Sequence, residues 1–326
     1  MIRFNMRRVL AGLALCALAG SATAQSYPSH PIKLIVSYSV GGPTDAVARI
    51  AAERLSERLG QSVVVQTVLG NGGIIGTEAA ARAKPDGYTL YFGVNSMAIF
   101  PNIRPEGSPL GFDPLDFVAL GGVAESAHVL LASKESGFKS VADLVSKAKQ
   151  LPPDSITYGS AGVGGTSHLP LAFFANEAGI QLLHVPYKGA APAFVDLLAG
   201  RISLSTPGYS GSLTEPIESG KVTALAVTSA ERLPFLPNVP TLAESGYPTM
   251  VFPIWYGLFA PKGTPQEVVD RISKELKEMA QEPAYAQKLA AQGNVAKYVS
   301  PKDLHAQLAK QTREIGERIR AAGLTF

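Results

Sequence analysis

The sequence predicts an α/β protein built as two lobes with a cleft between them. Three observations predict it. Short β-rich runs alternate with helical patterns from Pro31 onward, two long extended passages divide the chain, and a glycine-rich loop stands at a strand-to-helix junction in each part. The alternation implies βαβ units and a largely parallel sheet.

Ile32 to Val36 reads as the first strand. From Thr44 to Leu59, Val47, Ile50, Ala51 and Leu55 separate from Arg54 and Arg58 with a helical period, and Gly60 stops the helix. Val63 to Val65 is a second strand, Thr77 to Lys84 a short helix, and Thr89 to Val94 a third strand. Phe117 to Ser133 is a long extended apolar stretch. A second set of units follows: a helix from Val141 to Gln150, a strand at Ile156 to Tyr158, a helix from Ser167 to Ala178, and strands at Leu182 to Val185 and Leu225 to Thr228. A second extended stretch, Val251 to Ala260, precedes three helical patterns. The last, Pro301 to Ala322, places Leu304, Leu308, Ile315 and Ile319 on one face, with Ser300, Pro301 and Asp303 supplying its N-terminal chemistry.

Each extended passage is long enough to cross between lobes. The expected division is a discontinuous first lobe, residues 25–124 plus 251–326, with residues 125–250 inserted as the second.

Arg3, Arg7 and Arg8 precede an apolar run from Val9 to Gly20 that ends in Ala22-Thr23-Ala24. The run is too short to span a membrane, so residues 1–24 read as a secretory signal peptide cleaved before Gln25, which implies a periplasmic destination. Cys16 lies inside that run behind the bulky Leu15, a poor context for lipidation. Removing the leader removes the only cysteine, so the mature chain forms no disulfide and relies on its core. It also removes three of 29 basic residues, leaving 26 against 26 acidic ones. With no basic excess and no Lys/Arg cluster, nucleic-acid binding is set aside.

Two loops could carry chemistry. The first strand feeds into Ser37-Tyr38-Ser39-Val40-Gly41-Gly42-Pro43-Thr44-Asp45, and the inner segment has Ser160-Ala161-Gly162-Val163-Gly164-Gly165-Thr166-Ser167-His168 in the same position. Paired glycines before a helix let backbone approach a ligand, and free N–H groups with the helix dipole favour an anion. The alternative is a tight turn in which Thr44 and Asp45 merely cap the helix. Beyond the carboxyl ends of strands, two such loops in different lobes can face each other across one cleft. Hydroxyls of Ser39, Thr44, Ser160, Thr166 and Ser167 could satisfy a carboxylate without lysine or arginine. Asn95 and Ser96 after the third strand, Tyr187 and Thr206 join the candidate ligand-binding set. His168 is either a ligand contact or a structural residue of the first helical turn. Tyr158, Tyr187, Phe252, Trp255 and Tyr256 either wall the ligand or belong to the core.

Signatures of catalysis fail on spacing. Gly208-Tyr209-Ser210-Gly211 lacks the second glycine of a nucleophile elbow, and in Gly70-Asn71-Gly72-Gly73-Ile74-Ile75-Gly76 isoleucine stands where a dinucleotide fingerprint needs its third glycine. His30, His128, His168, His184 and His305 form no zinc motif. No cofactor, metal or catalytic residue is expected.

With these residues in view the chain resembles the Bug family, the TctC-like extracytoplasmic receptors associated with tripartite tricarboxylate transporters. The resemblance runs from Tyr27 to Gly323. It rests, in order, on Tyr27-Pro28-Ser29-His30-Pro31-Ile32, the Gly41-Gly42-x-Thr44-Asp45 loop, Gly72 to Gly76, Pro85-Asp86-Gly87-Tyr88-Thr89-Leu90 and Phe112-Asp113-Pro114-x-x-Phe117. Ser160 to His168, His184-Val185-Pro186-Tyr187-Lys188-Gly189, Leu225 to Ser229 and Trp255 to Pro261 continue it. The resemblance implies a Venus-flytrap periplasmic binding protein fold with two crossing strands as hinge. It also implies carboxylate ligands held by the two loops, and a closed form recognised by the membrane components of such a transporter or by a sensor kinase.

The chain departs from the family where ligand identity is decided. Ser37-Tyr38-Ser39-Val40 replaces a common proline-rich stretch, Val163 and Gly165 replace side chains that the family often carries there, and Ser205-Thr206-Pro207-Gly208 lacks the usual acidic or amide residue. The last difference argues against an amino-acid ligand. The segment from Arg104 to Gly111 has no counterpart in the family pattern. The expected function is capture of a small carboxylate-bearing solute, a di- or tricarboxylate or an aromatic carboxylate, by a monomer. The rivals are a secreted α/β hydrolase using Ser160 or Ser210, and a non-catalytic protein-binding scaffold.

Overall fold

A computed structural model describes residues 27–103 and 110–325. The predicted leader, its expected cleavage site before Gln25 and most of the 104–111 segment lie outside the described residues. The chain opens with β1 (Ile32–Val36), α1 (Pro43–Leu59), β2 (Val63–Thr67), α2 (Ile74–Ala81), β3 (Thr89–Val94), the single turn α3 (Ser96–Ile99) and the long β4 (Val118–Ala127). It continues through β5 (Val129–Ser133), α4 (Val141–Ala148), β6 (Thr157–Ser160), α5 (Leu169–Ala178), β7 (Leu183–Pro186), α6 (Ala190–Leu198), β8 (Leu204–Ser205), α7 (Thr214–Glu218) and β9 (Val222–Val227). It returns through β10 (Pro253–Ala260), α8 (Gln266–Met279), α9 (Pro283–Ala291), β11 (Val295–Val299) and α10 (Pro301–Ala321).

Two sheets result, in the orders β11-β4-β10-β3-β1-β2 and β7-β6-β8-β5-β9. The expectation of largely parallel sheets is corrected. β1 pairs in parallel with β2 and β3, and β6 with β7 and β8, but the remaining pairings are antiparallel. The reason is the return path: β4 and β10 lie side by side in opposite directions, and β5 and β9 do the same in the other sheet.

The extended stretch Phe117 to Ser133 is likewise two strands in different sheets, broken at His128. There the two passages are stitched together. His128 N–H donates to Thr228 Oγ1 at 3.0 Å and Thr228 N–H to the His128 carbonyl at 3.0 Å. Thr228 Oγ1 donates to the Phe252 carbonyl at 2.9 Å, and Phe252 N–H to the Thr228 carbonyl at 2.7 Å.

Local chemistry explains most elements. Pro43 opens α1 and Gly60, at φ 67°, ends it in the left-handed conformation. Ser300 caps α10 by accepting the Asp303 N–H, with Pro301 in the first position. The helix expected from Thr77 begins at Ile74. Strand β11 and helices α3, α6 and α7 were not anticipated. In α6 the sequence misleads because Pro192 looks like a breaker, yet it sits in the first turn, where a missing N–H breaks no hydrogen bond. Val47, Ala48, Ala51 and Leu55 of α1 pack with Leu34, Leu90 and Leu258 of the first sheet. A second core joins both sheets, with Ile35, Tyr91 and Phe259 from one and Leu130, Tyr158 and Leu204 from the other.

Candidate functional site

A cleft of about 550 Å³ opens among loops at the carboxyl ends of β1, β2, β3 and β6. In the β1 loop, Ser37 is buried and its Oγ donates to Tyr91 Oη at 3.3 Å, while Tyr38 Oη pairs with Ser96 Oγ. Burial pushes the Tyr38 phenol well above its usual range, so it stays neutral. Ser39 is exposed at the mouth.

Behind these residues the loop folds back on itself. Gly42 N–H donates to the Ser39 carbonyl at 3.0 Å, and Gly41, at φ 78°, donates its N–H to Asp45 Oδ2 at 2.9 Å. Arg49 Nε reaches the same oxygen at 2.8 Å. Burial alone would raise the Asp45 carboxyl, but the hydrogen bonds from Arg49 and Gly41 outweigh it and hold the group below its usual range. An internal carboxylate therefore occupies the N-terminus of α1.

The β6 loop is arranged differently. Ser160 Oγ accepts the Gly162 N–H at 3.2 Å, Ser167 Oγ accepts the Ala161 N–H at 2.9 Å, and His168 Nδ1 accepts the Gly164 N–H at 2.9 Å. Thr206 Oγ1 donates to the Ser167 carbonyl at 2.6 Å. Once these bonds are made, the backbone N–H groups of Val163, Thr166 and Ser167 and the Thr166 hydroxyl have no protein acceptor among the described residues. They stand just before α5, where the helix dipole favours negative charge.

His168 stacks on His184 behind the loop, and Tyr158 continues the stack. Burial, with the His184 ring beside it, lowers the His168 pKa to about 4, so the ring is neutral near pH 7.

The remaining walls come from the β2 loop and the segment after β3. Asn71, Gly72 and Gly73 all have positive φ, and a Cβ on Gly73 would meet Tyr38 Oη at 3.1 Å. Ile74, Ile99, Phe100 and Ile103 form an apolar wall, and Ile103 packs across the cleft against Gly164. Leu69 and Val163, 55% and 56% exposed, flank the mouth. Among the described residues the lining contains no charged side chain, and no group of three His, Cys, Asp or Glu could hold a metal.

Of the expected site residues, Tyr38, Ser39, Ser96, Gly162, Gly165, Thr166 and Ser167 line this cleft. Gly41, Gly42, Thr44 and Asp45 do not; they build the turn behind it. Ser160, His168 and Thr206 are buried and shape the β6 loop. Asn95 is buried and donates to the Pro253 carbonyl at 3.3 Å, and Tyr187 donates to Asp196 Oδ2 at 2.7 Å, so neither side chain reaches the lining. Of the other aromatics, Tyr158, Phe252, Trp255 and Tyr256 belong to the core. Ser37, Ala161, Val163 and Gly164 join the lining from within the two predicted loops, and the lining residues that sequence reasoning missed are Leu69 to Ile74, Ile99, Phe100, Ile103 and Gly189. A signal existed for the β2 loop: Gly70 to Gly76 follows a strand and opens a helix, as the two chosen loops do.

Residues 47–324 match the family described as the tripartite tricarboxylate transporter family receptor. Protein BugT of Bordetella pertussis is 33% identical over 98% of both chains. Rpa4515 of Rhodopseudomonas palustris, solved with adipate, is 32% identical and superposes with a TM-score of 0.81 over 92% of this chain and 99% of its own. MatC from Rhodopseudomonas palustris, solved with bound malate, is 26% identical with a TM-score of 0.75 over 90% of this chain and all of its own. The two-sheet architecture is thus that of two-lobed periplasmic binding proteins, and the chain belongs to the tripartite tricarboxylate transporter receptor family, the Bug proteins.

Proposed function

We propose that this protein is a periplasmic receptor that closes on a small carboxylate-bearing solute and releases it unchanged to a membrane partner. The carrying observation is the set of unpaired donors from Val163, Thr166 and Ser167 where the β6 loop enters α5 beside the cleft. Two structural relatives hold carboxylates, one adipate and the other malate, which supports the ligand class. The family description supports delivery to membrane components of a tripartite tricarboxylate transporter, with a sensor kinase as the other listener. Export would follow cleavage before Gln25. The proposed lobes are residues 25–124 with 251–326, and residues 125–250, moving as a monomer about the crossing passages near His128, Thr228 and Phe252.

A second reading has one observation in its favour. Ser160 Oγ lies 2.7 Å from His184 Nε2, the distance of a serine nucleophile from its base. Against it, Ser160 is 1% exposed and is absent from the cleft lining, and its hydroxyl is engaged by Gly162. We therefore propose binding without turnover.

The experiment is a thermal-shift panel of mature protein with linear dicarboxylates, tricarboxylates, aromatic carboxylates and amino acids. A ligand at 100 times its dissociation constant adds about 2.7 kcal/mol. The receptor reading expects stabilisation by carboxylates that is lost in Thr166→Val and unchanged ligand after incubation. Stabilisation by an uncharged solute alone removes the anion argument, and no response to any solute favours the scaffold.

A further inference from the structure

We infer that the cleft has one anionic pole and one apolar pole, so that its solute is a monocarboxylate with an aliphatic or aromatic body and not a dicarboxylate. This inference rests on the receptor reading above and narrows it.

The two loops are unequal as anion sites. On the β1 side the N-terminus of α1 is already filled: Asp45 accepts the Gly41 N–H at 2.9 Å and is held by Arg49 at 2.8 Å. A ligand carboxylate there would approach the buried carboxylate of the Asp45–Arg49 pair, and the N–H groups of Gly41 and Gly42 are already engaged. Of the hydroxyls lining that side, Ser37 donates to Tyr91 and Tyr38 pairs with Ser96, while Ser39 stands exposed at the rim. On the β6 side, Val163, Thr166 and Ser167 keep free N–H donors and no carboxylate competes. The place best provided for a carboxylate lies before α5.

The rest of the solute faces hydrocarbon. Ile99 and Phe100 are 1% and 2% exposed, and together with Ile74 and Ile103 they form the wall of the cleft. A second carboxylate against this wall would lose its hydration without a compensating cation among the described lining residues. The apolar side chains Leu69 and Val163 are exposed at the mouth of the cleft. They would cover the apolar body when the cleft closes. Ser39 and Asn71, the polar side chains left at the rim, are exposed and keep their water.

The test is calorimetric titration of the mature protein with hexanoate, adipate and phenylacetate. Hexanoate and adipate have the same six-carbon chain and differ by one carboxylate. Hexanoate or phenylacetate is expected to bind at least tenfold more tightly than adipate. In Ile103→Lys, checked for native circular dichroism, a cation is added to the apolar wall, and the preference for hexanoate over adipate should fall at least tenfold. Adipate binding as tightly as both monocarboxylates overturns the inference while leaving the receptor reading intact. An unchanged ratio in folded Ile103→Lys overturns the assignment of the apolar pole. If no compound of the series and no other carboxylate binds, the receptor reading itself fails and the inference falls with it.

Discussion

The imidazoles of His168 and His184 lie face to face, with ring centroids 3.8 Å apart and planes 15° from parallel. Tyr158 extends the stack, 4.9 Å from His184. Two protonated rings could not share this geometry, and burial lowers both pKa values, that of His168 to about 4. The stack therefore favours neutral rings, and protonating both would force them apart and loosen the β6 loop.

A pH dependence follows, and its sign is fixed. His128, buried at the crossing of the two passages, also has its pKa lowered by burial to about 4, despite its hydrogen bond to the Thr206 carbonyl. In the unfolded chain both histidines titrate near 6.5, so between about pH 6.5 and 4 the unfolded state binds more protons. Their contribution is fully present above pH 6.5 and is lost as the pH falls toward 4, by up to about 1.4 kcal/mol per pH unit for each histidine. Urea unfolding at pH 7.5, 6 and 5 should show this loss. His168→Asn and His128→Asn should each flatten the profile, and profiles as steep as wild type in both variants would remove the assignment.

Ser160→Ala separates the structural role of its hydroxyl from a catalytic one. The change strands the Gly162 N–H and one His184 nitrogen, and should cost about 1–3 kcal/mol of stability. Solute binding should weaken because the donors of Thr166 and Ser167 lose their support. Hydrolysis of a generic nitrophenyl ester should be indistinguishable between wild type and variant. A serine-dependent rate above the buffer background would restore the hydrolase reading.

Period and punctuation explain what was legible in the sequence. Gly60, Ser300 and Pro301 mark helix ends by local chemistry, and the glycines of the β6 loop are recognisable because backbone without side chains before a helix has few other uses. Ile99, Phe100 and Ile103 were illegible because an apolar residue that walls a cleft has the same local pattern as one in the core. Asp45 was ambiguous for the opposite reason: whether a carboxylate at a helix start caps the helix or meets a ligand depends on which way the loop turns, here set by Gly41 and Arg49. Strand direction was misread because a crossing strand carries no mark of its partner's polarity.

Gly76→Ala tests the packing under the β1 loop. A Cβ there would stand 2.4 Å from Ser37 Oγ and 2.5 Å from the Val68 carbonyl oxygen, and the carbonyl belongs to backbone that cannot step aside cheaply. Although alanine is the better helix former, overpacking should win, and the variant should lose about 1–3 kcal/mol. Equal or higher stability by denaturant unfolding would show that the β1 and β2 loops move apart more freely than this packing allows.

Gly164→Ala tests the contact across the cleft. Gly164 has φ 69°, a conformation that costs an alanine about 1–2 kcal/mol, and its new Cβ would stand 3.0 Å from Ile103 Cγ2. The first penalty is intrinsic to the turn; the second arises only while the two sides of the cleft are in contact. Ile103→Ala should relieve the second and leave the first, so a double-mutant cycle separates them. The expected result is a loss of solute affinity in Gly164→Ala that is partly recovered in the double variant, with the stability loss unrecovered. Strictly additive affinities would mean that Ile103 and Gly164 do not meet in the solute-bound form, and that the cleft closes on its ligand along some other line of contact.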